Sequence, residues 1–99
     1  MAVIRSVIRG IGAHVPARVM TNDELAQIVD TSNEWILERS GIRQRHIADD
    51  SETTADLGVA AARQALIRSG VDPVDIDLII CATATPDRTF PATAVRIQN

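Results

Sequence analysis

The stretch TTADLGVAAARQALIRSG, Thr53 to Gly70, followed after a short polar interval by LIICA, Leu78 to Ala82, decides the fold class. In the first run Leu57, Ala61 and Ala65 recur at i, i+4 and i+8 beside Ala60, while Val59, Ala62 and Leu66 form a second apolar row. That spacing predicts an α-helix beginning at Thr53 or Thr54 and stopping at Gly70. Small residues cover much of its circumference, Gly58 included, so the helix is expected to be substantially buried in an interior layer. Leu78 to Ala82 shows no polar alternation, the pattern of a parallel strand covered on both faces. Upstream, VIRSVIRGI from Val3 to Ile11 sets β-branched pairs between Arg5 and Arg9 and is expected to form a first strand, with Gly10 and Gly12 easing a bend before Pro16. Strand, helix and strand in that order predict an α/β class.

Shorter elements fill the space between. Thr21-Asn-Asp-Glu24 fits a capping box, in which a Thr hydroxyl and a Glu carboxylate satisfy free N–H groups at a helix start, with Leu25, Ile28 and Val29 as the apolar side. The signature recurs at Thr31-Ser-Asn-Glu34, predicting a second short helix through Trp35 to Ser40 that ends at Gly41. Ile42 to Ile47 suits an extended segment, and Asp49-Asp-Ser-Glu52 a solvated turn. Pro91 to Asn99 starts like a helix with Pro in its first turn and stops without a cap, so the chain is expected to be truncated.

Composition narrows the classes. A chain of 99 residues that is 45% hydrophobic is too apolar for disorder and too short for two ordinary domains. All ten basic residues are Arg, set against thirteen acids, and the net charge of −3 offers no global basic field for nucleic acid or an anionic membrane surface. The longest apolar run is Leu78 to Ala82, far short of a membrane span. One Cys cannot close an internal disulfide, which suits the cytoplasm.

Few residues carry recognisable chemistry. His14, His46 and Cys81 lack metal-ligand spacing, and Cys81 is expected to be a buried, inert thiol. Gly10-Ile-Gly12 lacks the third Gly of a dinucleotide fingerprint. The acids near Asp49 and Asp75 read as wet turns rather than as a general acid and base. Trp35 and Arg39 differ, because i, i+4 spacing sets an indole and a guanidinium side by side on one helical face, able to hold one flat ligand. Arg43 and Arg45 follow and could pair with phosphate oxygens. Equally, Trp35 could pack in a core while these arginines neutralise the acidic turn from Asp49. Spacing leaves both readings open.

Taken together, Asn22-Asp-Glu24, Asp30-Thr-Ser-Asn-Glu-Trp35, Arg39-Ser-Gly-Ile-Arg43, Glu52-Thr-Thr54, Asp77-Leu-Ile-Ile-Cys-Ala-Thr83, Thr85-Pro86 and Phe90-Pro-Ala92 carry a specific resemblance. The whole of residues 1–99 resembles, in order, the N-terminal portion of β-ketoacyl-acyl-carrier-protein synthase III. The resemblance implies a thiolase-like layered α/β/α/β/α fold of two related halves, of which this chain is the opening of the first, in a protein that is usually a homodimer. The implied chemistry passes an acyl group from coenzyme A to a Cys nucleophile, then condenses it with malonyl-acyl-carrier protein with loss of carbon dioxide. The catalytic Cys, His and Asn are implied to lie beyond Asn99, so Cys81 is not the nucleophile and these 99 residues alone are expected to be inactive.

What the resemblance does place here is the coenzyme A entrance. Trp35 resembles the residue that stacks on adenine, with Arg39 on its other side or near the phosphates and Thr31 at a neighbouring contact. Phe90 resembles the residue that closes the acyl pocket of the partner subunit, where a bulky ring implies a short primer such as acetyl; otherwise it is a core residue under the Pro91 helix. Ser40 stands where the family often has Thr. No metal or redox cofactor is implied, the coenzyme A thioester being a substrate. Two other readings stand beside this one. One is a secondary-metabolism or long-chain synthase of the same fold; the other is a non-catalytic interaction module whose apolar faces another chain covers.

Overall fold

Three helices begin at hydroxyl caps, because the first N–H groups of a helix have no partner within it. Thr21 accepts from the Glu24 N–H at 3.2 Å while the Glu24 carboxylate accepts from the Thr21 N–H at 2.8 Å, opening α1 (Asn22–Ala26). Ser32 caps α2 (Asn33–Ser40) by accepting from the Trp35 N–H at 3.2 Å. The cap therefore lies one residue after the expected Thr31, whose hydroxyl does not reach the helix. Thr53 and Asp56 form a second capping box at the head of α3 (Thr54–Ser69). Gly41 and Gly70 close α2 and α3 at φ +71° and +68°, the left-handed conformation expected of a C-terminal Gly.

The computed structural model describes residues 2–99, and they divide into two units. The first, 15–52, contains β1 (Arg18–Thr21), α1, α2 and β2 (Gln44–Ile47). Here β1 and β2 pair antiparallel, Arg18 opposite Ile47 and Thr21 opposite Gln44, so the chain around both helices is clamped at its two ends. The extended segment expected at Ile42 to Ile47 is thus β2, whereas β1 has no clear strand pattern in the sequence. The Nδ1–H of His46 donates to the Pro16 carbonyl at 2.7 Å, a structural role at the edge of this pair.

The second unit joins 2–14 to 53–99 and holds α3, a 3-10 turn at Pro73–Asp75 and α4 (Thr93–Gln98). Neither Val3 to Ile11 nor Leu78 to Ala82 forms a strand: both lack a pairing partner among the described residues, and Ile4, Leu78 and Ile80 are 96%, 75% and 84% exposed. Apolar β-branched sequence favours a covered strand, but only a neighbouring backbone makes one. For the same reason Cys81 is half-buried rather than enclosed, and α3 buries only Ala55 fully. Gly10 and Gly12 serve close approach instead of a bend. A Cβ on Gly10 would lie 2.6 Å from the Ala65 carbonyl oxygen, and one on Gly12 would overlap the Ala61 carbonyl oxygen, so 2–14 rests directly on the α3 backbone. Ala13 N–H donates to Gln64 Oε1 at 2.9 Å and Arg68 to the Ile11 carbonyl at 3.0 Å across this contact.

Asp87 ties α3 to α4. Its side chain, 4% exposed, accepts from the Ala55 N–H at 3.1 and 3.2 Å and pairs with Arg96. Thr54 adds a bond to the Thr85 carbonyl at 2.7 Å. Gly58 lets α4 approach, since a Cβ there would meet the Ile97 side chain at 2.8 Å. α4 begins at Thr93 after an Ala92 cap without a side-chain bond, so Pro91 precedes its first turn rather than entering it.

Candidate functional site

α2 turns one face inward and one out. Ile36, 8% exposed, is its buried residue, while Trp35 on the adjoining face is 55% exposed. The indole is therefore not packed in a core formed by these residues. One turn later the Arg39 guanidinium lies over the indole, 5.3 Å from its centroid, as i, i+4 spacing predicts. Trp35 also walls a cleft of about 350 Å³ shared with Asp30, Thr31 and Ser32. Thr31 lines this cleft, and its hydroxyl is buried without a hydrogen-bond partner. Thr31, Trp35 and Arg39 therefore form one constellation: a polar floor, an aromatic wall and a cation on that wall.

What holds this platform is a buried amide that sequence reasoning did not single out. Asn22, 1% exposed, donates from Nδ2 to Asn33 Oδ1 at 3.0 Å and to the Ile42 carbonyl at 2.8 Å, and its Oδ1 accepts from Arg45 at 2.6 Å. Its backbone N–H donates to the Arg43 carbonyl at 3.3 Å. Arg45 also donates to the Met20 and Thr21 carbonyls at 3.2 Å each. Arg45 is thus bonded into the frame and does not pair with the acidic turn, which corrects that expectation for it. Arg43 is exposed, and its carbonyl, rather than its side chain, serves the network. No local signal exposes this hub, because its partners are 11, 20 and 23 residues away.

The acids are occupied with backbone. Thr21 N–H and hydroxyl hold the Glu24 carboxyl below its usual range, Thr53 does the same for Asp56, and Ser51 for Asp49. Asp49 accepts from the Ser51 N–H and hydroxyl at 2.7 and 2.6 Å, which makes 49–52 the solvated turn expected. Among the described residues no group of three or more His, Cys, Asp or Glu gathers as a metal-binding set, and no helix is long and apolar enough to cross a membrane. Phe90 belongs to the other unit and is 85% exposed, so among these residues α4 does not cover it.

No protein-family model matches the chain. Among curated relatives, the β-ketoacyl-[acyl-carrier-protein] synthases III of Sinorhizobium medicae and Rhizobium johnstonii are 70% and 67% identical over 96 residues. Each alignment covers 97% of this chain and 30% of the relative, so the chain spans less than a third of their length. Among solved structures, 3-oxoacyl-[acyl-carrier-protein] synthase III of Aquifex aeolicus superposes with a TM-score of 0.86 at 46% identity, over 92% of this chain and 29% of that one. The priming β-ketosynthase of the R1128 polyketide pathway gives 0.86 at 42% identity, over 92% and 27%.

Proposed function

We propose that this chain, whose relatives are β-ketoacyl-acyl-carrier-protein synthases III with a thiolase-like α/β fold, forms the coenzyme A entrance of a condensing enzyme that starts fatty-acid synthesis. In this reading residues 1–99 open the first thiolase-like half of a cytoplasmic homodimer. A short acyl group, acetyl above all, passes from coenzyme A to a Cys beyond Asn99 and is then joined to malonyl-acyl-carrier protein with loss of carbon dioxide. These 99 residues would supply binding and orientation, not the reacting atoms, and no metal or redox cofactor.

The observation that carries the reading is the exposed Trp35 ring with Arg39 over it, beside the unpaired Thr31 hydroxyl. The exposed indole presents a flat apolar face, and a purine offers a complementary one. Because Arg39 already covers one face, the base stacks on the other or displaces the guanidinium toward the phosphates. Thr31 fits a polar edge of the same ligand, and the exposed Phe90 fits the wall of a partner subunit's acyl pocket. Stacking of one base is worth about 1–3 kcal/mol. In the full-length synthase Trp35→Ala is therefore expected to raise KM for acetyl-CoA about tenfold or more while leaving KM for malonyl-acyl-carrier protein unchanged. Steady-state kinetics with each substrate varied decides it; an unchanged acetyl-CoA KM removes the assignment. The similarity to a polyketide priming ketosynthase supports a second reading, priming of a secondary pathway, which primer selectivity separates from the first.

A further inference from the structure

We infer that Asn22 is a positioning residue for the coenzyme A entrance, fixing the helix that carries Trp35 and Arg39 by holding both of its ends at once. This rests on the reading of Trp35 as a base-stacking residue. The two Nδ2 protons go to opposite ends of α2: one to Asn33, its first residue, and one to the Ile42 carbonyl just past the Gly41 cap. Oδ1 takes the Arg45 guanidinium, whose remaining bonds to Met20 and Thr21 anchor it to β1. The side chain is 1% exposed, so no water substitutes for a lost partner without rearrangement.

Only an amide meets these demands together, two donors on one atom and an acceptor on the other. An Asp in its place keeps the shape and strengthens the Arg45 contact. Asn33 can turn its own amide to donate to the new carboxylate, so the N-terminal end of α2 stays tied. The Ile42 carbonyl cannot turn and faces a second acceptor, so the C-terminal end is released, and the helix and its indole are free to tilt. A tilted ring loses overlap with a purine even though Trp35 itself is intact.

The test is a cycle in the full-length synthase: Asn22→Asp, Trp35→Ala and the double variant, with KM measured separately for acetyl-CoA and malonyl-acyl-carrier protein. Asn22→Asp is expected to raise the acetyl-CoA KM on the order of fivefold, with kcat and the other KM near wild type, and to add less than its full effect once Trp35 is Ala. A merely structural role would lower kcat or move both KM values, and would persist in full in the Trp35→Ala background. If Trp35→Ala raises the acetyl-CoA KM but Asn22→Asp leaves it unchanged or adds its full effect to the double variant, the positioning role is overturned and the entrance reading stands. If Trp35→Ala itself leaves that KM unchanged, both fall. Should Asn22→Asp fail to fold, Asn33→Ala, which removes only the bond at the head of α2, takes its place in the same cycle with the same expected non-additivity.

Discussion

Replacing Gly12 by Ala is expected to destabilise the protein by more than any conformational preference of Gly explains. The new Cβ would overlap the Ala61 carbonyl oxygen and lie 2.6 Å from the Ala65 backbone N and 3.1 Å from Gln64 Cβ. Two of these are backbone atoms inside the sixteen-residue helix α3, which cannot yield singly, so the 2–14 segment must step away by most of an ångström. Such overpacking costs about 1–3 kcal/mol. The step also stretches the bonds from Ala13 to Gln64 and from Arg68 to Ile11, both solvent-accessible and each worth roughly 0.5 kcal/mol. The expected total is about 2–4 kcal/mol. Gly41→Ala is the matched comparison: nothing lies within 4 Å of its Cβ, and only φ +71° opposes the side chain, at about 1 kcal/mol. Urea unfolding of the full-length protein, followed by circular dichroism with the m-value checked for constancy, measures both. A Gly12→Ala cost equal to or below that of Gly41→Ala refutes the close-approach account.

Three further outcomes follow from particular groups. Asp87→Asn removes the charge that Arg96 and the Ala55 N–H share; with Arg96 partly exposed the expected loss is about 1–3 kcal/mol, and a variant within about 0.5 kcal/mol of wild type in urea unfolding contradicts it. Phe90→Thr in the full-length synthase should widen acceptance of longer straight-chain acyl-CoA relative to acetyl-CoA; identical relative rates across chain lengths end the pocket assignment. The Asp56 carboxyl sits below its ordinary value of 3.8 because Thr53 donates to it, so its contribution is complete above that value and lost as pH falls through the lower folded one. The stability gap between wild type and Asp56→Asn should accordingly be level from about pH 7 to 5 and shrink below 3.8, and a gap unchanged in acid is the contrary result.

What could be read from the sequence was local. Caps are encoded within four residues, so Thr21 with Glu24, Thr53, Gly41 and Gly70 are legible, and even the error at α2 is a slip from Thr31 to Ser32, adjacent hydroxyls of like capping power. The i, i+4 contact of Trp35 and Arg39 is legible on the same ground. Strands are not local. VIRSVIRGI and LIICA have the composition of covered strands, yet strand formation depends on another segment's hydrogen bonds, while RVMT at 18–21, unremarkable alone, is a strand because β2 pairs with it. Gly10 and Gly12 illustrate the same gap: a Gly in sequence signals freedom or proximity, and only the α3 backbone beside it tells which.

The 15–52 unit shows why its site depends on polar contacts. Pro16, Asn22 and Ile36 are its buried residues, so within this unit apolar contacts among its own residues do little to orient α2. Apolar packing is non-directional and tolerates rotation, whereas the bonds of Asn22 are oriented and use both of its Nδ2 protons and its Oδ1. A stacking ligand demands orientation more than strength, because a ring misaligned by a small tilt loses overlap across its whole face. On the proposed reading, the amide and guanidinium hub beneath α2 makes the geometry of Trp35 depend on residues away from its stacking face. It also makes that geometry vulnerable to isosteric changes, such as Asn22→Asp, that an apolar core of the same volume would absorb.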